Sequence, residues 1–325
     1  MNRSFNWANK LVLMAFLVIV GQTFANAAPT SFGVAKTELK KYVYFDRNDD
    51  GDFYCGCDWR WVGASGGRID LASCGYKTRS QAVRAARTEW EHIVPASSMG
   101  GQRQCWQNGG RKNCSANDPF FSVMEADMHN LTPASGEVNA DRSNFRFAEI
   151  PGEATQYGAC DAETDFKGRR FEPRPEVRGM IARVNFYIHD RYNLKLSRSQ
   201  EQLFMAWNNM HPVSEWEKER DRRIAKRMGH SNPFVTGERS WSRGHKNSGE
   251  GLANQTKGQV QKQPVVQQIA SNQSGWGVRG NKNSHIYHLS VGCSAYEKVA
   301  VHNRREFKSE QEAINAGYRK AGNCR

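Results

Sequence analysis

The eight cysteines constrain this 325-residue chain most, because they follow what reads as an export leader. Arg3 and Lys10 precede the apolar run Leu11 to Val20, and Ala25-Asn26-Ala27 supplies the small residues of a cleavage site. Residues 1–27 therefore read as a secretory signal peptide. The apolar run is short for a bilayer span and no later stretch is apolar enough for one, so no membrane association is expected after signal cleavage. An even number of cysteines in an exported chain implies disulfides. Cys105 and Cys114 enclose a short Gly-rich loop and make a reasonable pair. Cys55, Cys57, Cys74 and Cys160 leave three connectivities, and the distant Cys293 and Cys324 are expected to pair with each other. Cys55-Gly56-Cys57 suggests half of a zinc site, but no second CxxC or His pair has matching spacing, which favours disulfides.

Within this framework the stretch Thr88-Glu89-Trp90-Glu91-His92-Ile93-Val94-Pro95 places a carboxylate beside an imidazole in a strand-like run bounded by proline. Neighbours on a strand point to opposite faces. Glu91 and His92 can therefore serve one point only if the strand ends or bends there, as Pro95 allows. Taken alone, such a pair is weak evidence.

The runs that follow are more specific. They are Gly101 to Gln107, Gly109-Gly110-Arg111-Lys112-Asn113-Cys114, Met124-Glu125-Ala126-Asp127-Met128-His129-Asn130-Leu131-Thr132-Pro133, and Gly136-Glu137-Val138-Asn139-Ala140-Asp141-Arg142-Ser143-Asn144. In this order they resemble the bacterial exported endonuclease I family of ββα-metal (His-Me finger) nucleases, from about Tyr42 to Phe234. The resemblance implies an α+β fold: a disulfide-stapled nuclease domain of mixed α/β build with a ββα-metal motif, and beyond it a small α+β module. It also implies a largely nonspecific endonuclease that acts on DNA and also on RNA, leaves 5′-phosphates, and works as a monomer.

Phosphodiester hydrolysis needs an activated water, neutralised phosphoryl charge and a stabilised leaving oxygen. A neutral imidazole takes a proton near neutral pH, which suits His92 as general base. Hard oxygen ligands favour Mg²⁺, and Glu91 with the Asn139 side-chain oxygen would leave positions for water and phosphate. The resemblance places the base on the ββ hairpin and the asparagine on the following helix. Arg111 would hold the scissile phosphate through its forked donors. Glu125, Asp127 and His129 are expected behind these groups or satisfying local backbone. A noncatalytic nucleic-acid-capture protein on the same scaffold is the alternative, against which the intact quartet argues. A zinc protease fits poorly, because the sequence has no HExxH.

Charge agrees with an anionic polymer as partner. Loss of residues 1–27 takes the formal charge from +13 to +11, and basic groups near phosphates release condensed counterions.

Aromatic and β-branched content predicts a strand at Tyr42 to Phe45. The following Asp46, Asn48, Asp50 and Gly51 begin like a calcium loop, but Cys57 stands where the bidentate Glu belongs, so the stretch reads as an acidic turn. Ser80 is expected to cap a short helix through Arg87. Helical spacing predicts packed helices over Glu176 to Tyr192, Gln200 to Trp207, and Val213 to Met228, the last ended by Gly229. The basic residues of this last helix, among them Lys218, Arg220, Arg222, Arg223, Lys226 and Arg227, fit a solvated or phosphate-facing surface.

These features divide the chain into an endonuclease domain at 28–243, a flexible linker at 244–275 rich in Gly, Gln, Asn, Ser and Lys, and a small basic module at 276–325. That module resembles the zinc-binding module of the Ada DNA-repair protein. His288 and Ala321 stand at two of its four ligand positions, leaving His288, Cys293 and Cys324 as candidates. A structural Zn²⁺ wants four ligands, so a Cys293–Cys324 disulfide is expected instead. Its net charge of +5 suits an auxiliary nucleic-acid contact.

Overall fold

A computed structural model of the chain describes residues 28–252 and most of 278–324. The expected signal peptide and most of the expected linker lie outside the described residues. The chain separates into two compact units, 1–255 and 256–325. No helix of the described residues is long and apolar enough to cross a membrane.

The first unit opens with helix α1 (Phe32–Tyr42), which Ser31 caps by accepting from the Val34 amide. Strands β1 (Trp59–Val62) and β2 (Gly66–Ile69) form a hairpin. After the single turn α2 (Ala82–Ala85), β3 (Thr88–His92) begins the central ribbon. Four short helices follow: α3 (Ala96–Gly100), α4 (Gln104–Gln107), α5 (Gly110–Asn117) and α6 (Pro119–Glu125). A 3₁₀ turn, Met128–Asn130, leads into β4 (Leu131–Ser135), antiparallel to β3 with Glu91 opposite Thr132 and His92 opposite Leu131. The chain passes directly into α7 (Gly136–Arg142), so β3, β4 and α7 make a ββα unit. Strands β5 (Arg146–Phe147), β6 (Glu163–Asp165) and β7 (Arg170–Glu172) form a small mixed sheet in the order β5-β7-β6. Helices α8 (Pro175–Arg191), α9 (Arg198–Met210), α10 (Glu215–Met228) and α11 (Pro233–Thr236) complete the unit. The architecture is α+β.

The main core gathers Tyr54, Ile93, Phe121, Val138, Phe171, Ile181, Phe186 and Trp207 around the buried α8. A second cluster sets Ala35, Leu39, Val43 and Tyr44 against Leu131, Ile224 and Met228. That packing explains one difference from the sequence expectation: Tyr42 to Phe45 are not a strand but the end of α1 and the turn after it, because Val43 and Tyr44 bury against α10. Tertiary burial overrides strand propensity here. Ser80 does not cap α2 either. Gln81 occupies the cap position, and the carboxylate of Glu137 accepts the amides of Arg79, Ser80 and Gln81.

Disulfides join Cys55 to Cys160, Cys57 to Cys74, and Cys105 to Cys114. In the acidic turn Asp46 pairs with Arg223 and Asp50 with Arg47, while the buried Asp52 accepts the amides of Cys57 and Ser135. On α10, Arg222 and Lys218 lie on the exposed face, but Arg220 is buried. It donates to Tyr44 Oη and to the carbonyls of Met128, His129 and Leu131, which ties α10 to the entry of β4. Beyond α11 the chain stays docked through residue 252: Asp190 accepts from Arg239, His245 and Ser248, and Trp241 stacks on Phe186.

In the second unit β8 (Val278–Asn281), β9 (Ile286–Leu289), β10 (Arg304–Phe307) and β11 (Arg319–Lys320) form a sheet in the order β10-β8-β9-β11. Helix α12 (Glu310–Asn315) packs over Val278, Tyr287, Phe307 and Tyr318. Cys293 and Cys324 are joined to each other, with a ligand-capable nitrogen of His288 within 4.8 Å of the sulfurs.

Candidate active site

The structure brings all four sequence-predicted residues to one open cleft of about 400 Å³, lined by Glu91, His92, Arg111 and Asn139 together with Arg84 and Arg142. β3 stops at His92, which is how two successive residues come to line the same cleft.

His92 is 7 % exposed. Its Nε2 lies 2.9 Å from the Glu125 carbonyl oxygen. A carbonyl only accepts, so Nε2 carries the proton and Nδ1 keeps its lone pair. Burial, reinforced by the positive Arg111, drives the imidazole pKa down to about 3, so it is neutral at physiological pH.

Glu91 is 3 % exposed. Its Oε1 accepts from Tyr54 Oη at 2.7 Å and from Arg142 Nη1 at 2.8 Å. Burial raises its pKa, against the pull of the Arg142 guanidinium. Arg142 also donates to the carbonyls of His92 at 2.9 Å and Ile93 at 2.7 Å. One guanidinium thus fixes both the acid and the strand end that carries the imidazole.

Asn139 donates Nδ2 to Glu89 Oε2 at 2.9 Å, which leaves its amide oxygen for the cleft. Arg111 gives its Nε to Glu125 Oε1 at 2.6 Å, and Ser115 holds the other carboxylate oxygen at 2.8 Å. The two Nη groups of Arg111 remain for a phosphate. Glu125 therefore orients two residues, Arg111 through its side chain and His92 through its carbonyl. Asp127 and His129 lie deeper: Asp127 accepts from Tyr187 and Tyr192, and His129 reaches the His230 carbonyl.

Helix α7 divides its side chains between two tasks. Asn139 and Arg142, three apart, face β3, while Glu137 and Asp141, four apart, grip the 76–81 segment through Tyr76, Arg79 and Gln81. The position of Arg142 was accessible from that spacing. Phe32 was not: its ring lies 4.7 Å from that of His92 and 5.1 Å from the Arg111 guanidinium, with Lys36 beside it, and nothing in the sequence near Phe32 marks it.

As for a metal, the Glu91 carboxylate and the Asn139 amide oxygen are hard donors lining one cleft, and the residues fit a divalent cation that keeps most of its waters.

A neutral imidazole with a free lone pair, oxygen donors and a forked cation share one cleft, an arrangement chemically suited to phosphodiester hydrolysis. The model of the family described as Endonuclease I matches residues 31–238, and the chain belongs to that family. It is 44 % identical over 226 residues to a periplasmic deoxyribonuclease of Aeromonas hydrophila, covering 69 % of this chain and 93 % of that protein. It is 48 % identical over 206 residues to an extracellular deoxyribonuclease of the same species, covering 63 % and 87 %. It is 29 % identical over 127 residues to an extracellular ribonuclease of Bacillus subtilis, covering 34 % and 43 %.

Proposed function

We propose that this chain is an exported, Mg²⁺-dependent endonuclease that cuts DNA, and also RNA, with little sequence preference and leaves 5′-phosphates. It acts in the periplasm or outside the cell, where its disulfides persist. The observation that carries the reading is the His92 Nε2 bond to the Glu125 carbonyl, which leaves Nδ1 as the base. His92 takes a proton from the attacking water at Nδ1, and the carbonyl stabilises the imidazolium so formed. The Nη groups of Arg111 bind the scissile phosphate, oriented by Glu125. Glu91 Oε2 and Asn139 Oδ1 would hold the metal. When bound, Mg²⁺ neutralises phosphoryl charge and stabilises the leaving oxygen. Contacts centred on phosphate carry no sequence information, which accounts for weak preference. The ribonuclease of B. subtilis that matches in part supports activity on RNA.

The test is nicking of supercoiled plasmid by the oxidised protein with Mg²⁺ or EDTA, beside His92→Ala, with DNA affinity measured in EDTA. Mg²⁺-dependent cutting that the variant loses by at least about 100-fold, with affinity retained, is the expected result. Equal loss of cutting and affinity would remove His92 from the role of base, and binding without cutting under any divalent metal would leave a DNA-capture protein.

A further inference from the structure

The carboxylate two residues before Glu91 has no part in the reaction just described, yet it is the most heavily bonded acid beside the cleft. Glu89 Oε1 accepts from Arg84 Nε at 3.0 Å and from Arg87 Nε at 3.1 Å and Nη2 at 2.7 Å. Its Oε2 accepts from Arg84 Nη2 at 2.5 Å and Asn139 Nδ2 at 2.9 Å. Position 136 must be glycine for this arrangement: a Cβ there would stand 3.0 Å from Glu89 Cγ and 2.6 Å from the Arg84 carbonyl oxygen. Two arginines from the α2 region, the strand β3 and the start of α7 thus converge on one side chain.

The consequence falls on Asn139. An amide is nearly symmetric in shape but not in chemistry, so a free asparagine would offer either NH₂ or oxygen to the cleft. A carboxylate accepts only. Glu89 Oε2 takes the NH₂ end of Asn139 at 2.9 Å, and the amide oxygen is the atom left for a cation. The two guanidiniums more than offset the charge of Glu89, and both of its oxygens are already bonded, so its carboxylate does not compete with Glu91 for that cation.

We propose that Glu89 is a positioning residue that sets the Asn139 amide with its oxygen toward the metal and thereby determines divalent-ion affinity. This rests on the assignment of Asn139 as a metal ligand. Partners that orient metal ligands are worth about 10–100-fold in affinity.

The experiment measures Mn²⁺ binding to the full, oxidised chain without nucleic acid, by electron paramagnetic resonance of the free ion, with thermal midpoints recorded beside it. Glu89→Ala is expected to weaken Mn²⁺ binding by about 10-fold or more, and Asn139→Ala at least as much. Adding Glu89→Ala to Asn139→Ala should change nothing further. The exchanged pair Glu89→Gln with Asn139→Asp should recover most of the affinity, since the Gln amide then donates to one Asp oxygen and the other faces the ion. Wild-type Mn²⁺ affinity in Glu89→Ala overturns the proposal while leaving the metal site standing. Wild-type affinity in Asn139→Ala instead overturns the ligand assignment beneath it. If Glu89→Ala does not fold, the exchanged pair decides: a folded pair that still binds weakly overturns the positioning role.

Discussion

Replacing Arg142 with Met tests most directly how this cleft is built. The guanidinium is 1 % exposed and holds three groups at once: Glu91 Oε1 and the carbonyls of His92 and Ile93. Methionine keeps the apolar stem but removes every donor, together with the guanidinium that stands 4.7 Å from the centre of the Phe147 ring. Breaking a buried ion pair from one side costs about 3–5 kcal/mol, because the other charge is left without a partner. Two carbonyls lose charge-assisted bonds in the same step, at about 1 kcal/mol or more each. The terms are not additive, and we expect about 5 kcal/mol in total, which lowers the thermal midpoint by about 10–20 °C for a domain of this size. Urea unfolding of the oxidised protein in EDTA reads this without interference from metal. The decisive comparison adds Glu91→Gln. A neutral side chain at 91 removes the stranded charge but not the two stranded carbonyls, so the double variant should recover about half of the loss. If Arg142→Met costs under about 1 kcal/mol, or the double variant is no more stable than the single, the buried pair does not hold the strand end and the account of the site is wrong.

The disulfides should separate stability from activity. Chain entropy gives about 4.7 kcal/mol for a closed loop as long as that of Cys55–Cys160 and about 2.6 kcal/mol for one as short as that of Cys105–Cys114. Serine at 105 and 114 should nevertheless cost more cutting, because Arg111 lies inside that loop; the reverse order in denaturant midpoints, or unchanged nicking, would contradict this. A third expectation concerns acid. Burial drives the His189 pKa down to about 4, while an unfolded histidine titrates near 6.5. The unfolded state therefore takes up the proton first as pH falls below about 6.5, and the folded state loses stability through the window down to about 4. Between pH 7 and pH 5 this amounts to about 2 kcal/mol. The stability difference between wild type and His189→Leu should shift by that amount toward the variant, and a difference independent of pH would show that His189 is not held neutral.

Much of this was legible in the sequence because it depends on local chemistry. Apolar spacing located α8, α9 and α10, and Gly229, with φ of 78°, ends α10 as expected. The strand character of Thr88 to His92 was clear as well. What sequence could not supply were interactions between distant parts of the chain. Glu137, not Ser80, terminates the amides before α2, from more than 50 residues away. The four helices from Ala96 to Glu125 are short, with no run long enough to show a period, and they are held by packing around Phe121 and by the Cys105–Cys114 bridge. The tautomer of His92 depends on a carbonyl 33 residues on. The spacing of residues identified the candidates; only the fold says which of their atoms are free.

The same reasoning explains why α7 anchors itself as it does. A helix of seven residues is far below the length at which a helix is stable in water by itself. Its existence depends on contacts outside it, and the two acids on its outer side provide them: Glu137 accepts four hydrogen bonds from Tyr76, Arg79, Ser80 and Gln81, and Asp141 is bound by Arg79, Gln81 and Tyr157. Burial raises the Glu137 pKa, but those donors outweigh it and hold the carboxylate ionised. The inner side points Asn139 and Arg142 at β3, and their bonds to Glu89, Glu91 and the carbonyls of His92 and Ile93 hold the helix from that side as well. The 76–81 segment behind the cleft thus braces α7 from its far side, and the bridge from Cys74 to Cys57 lies next to that segment in the chain. The wall that carries Asn139 is thus supported in part by residues outside the cleft lining.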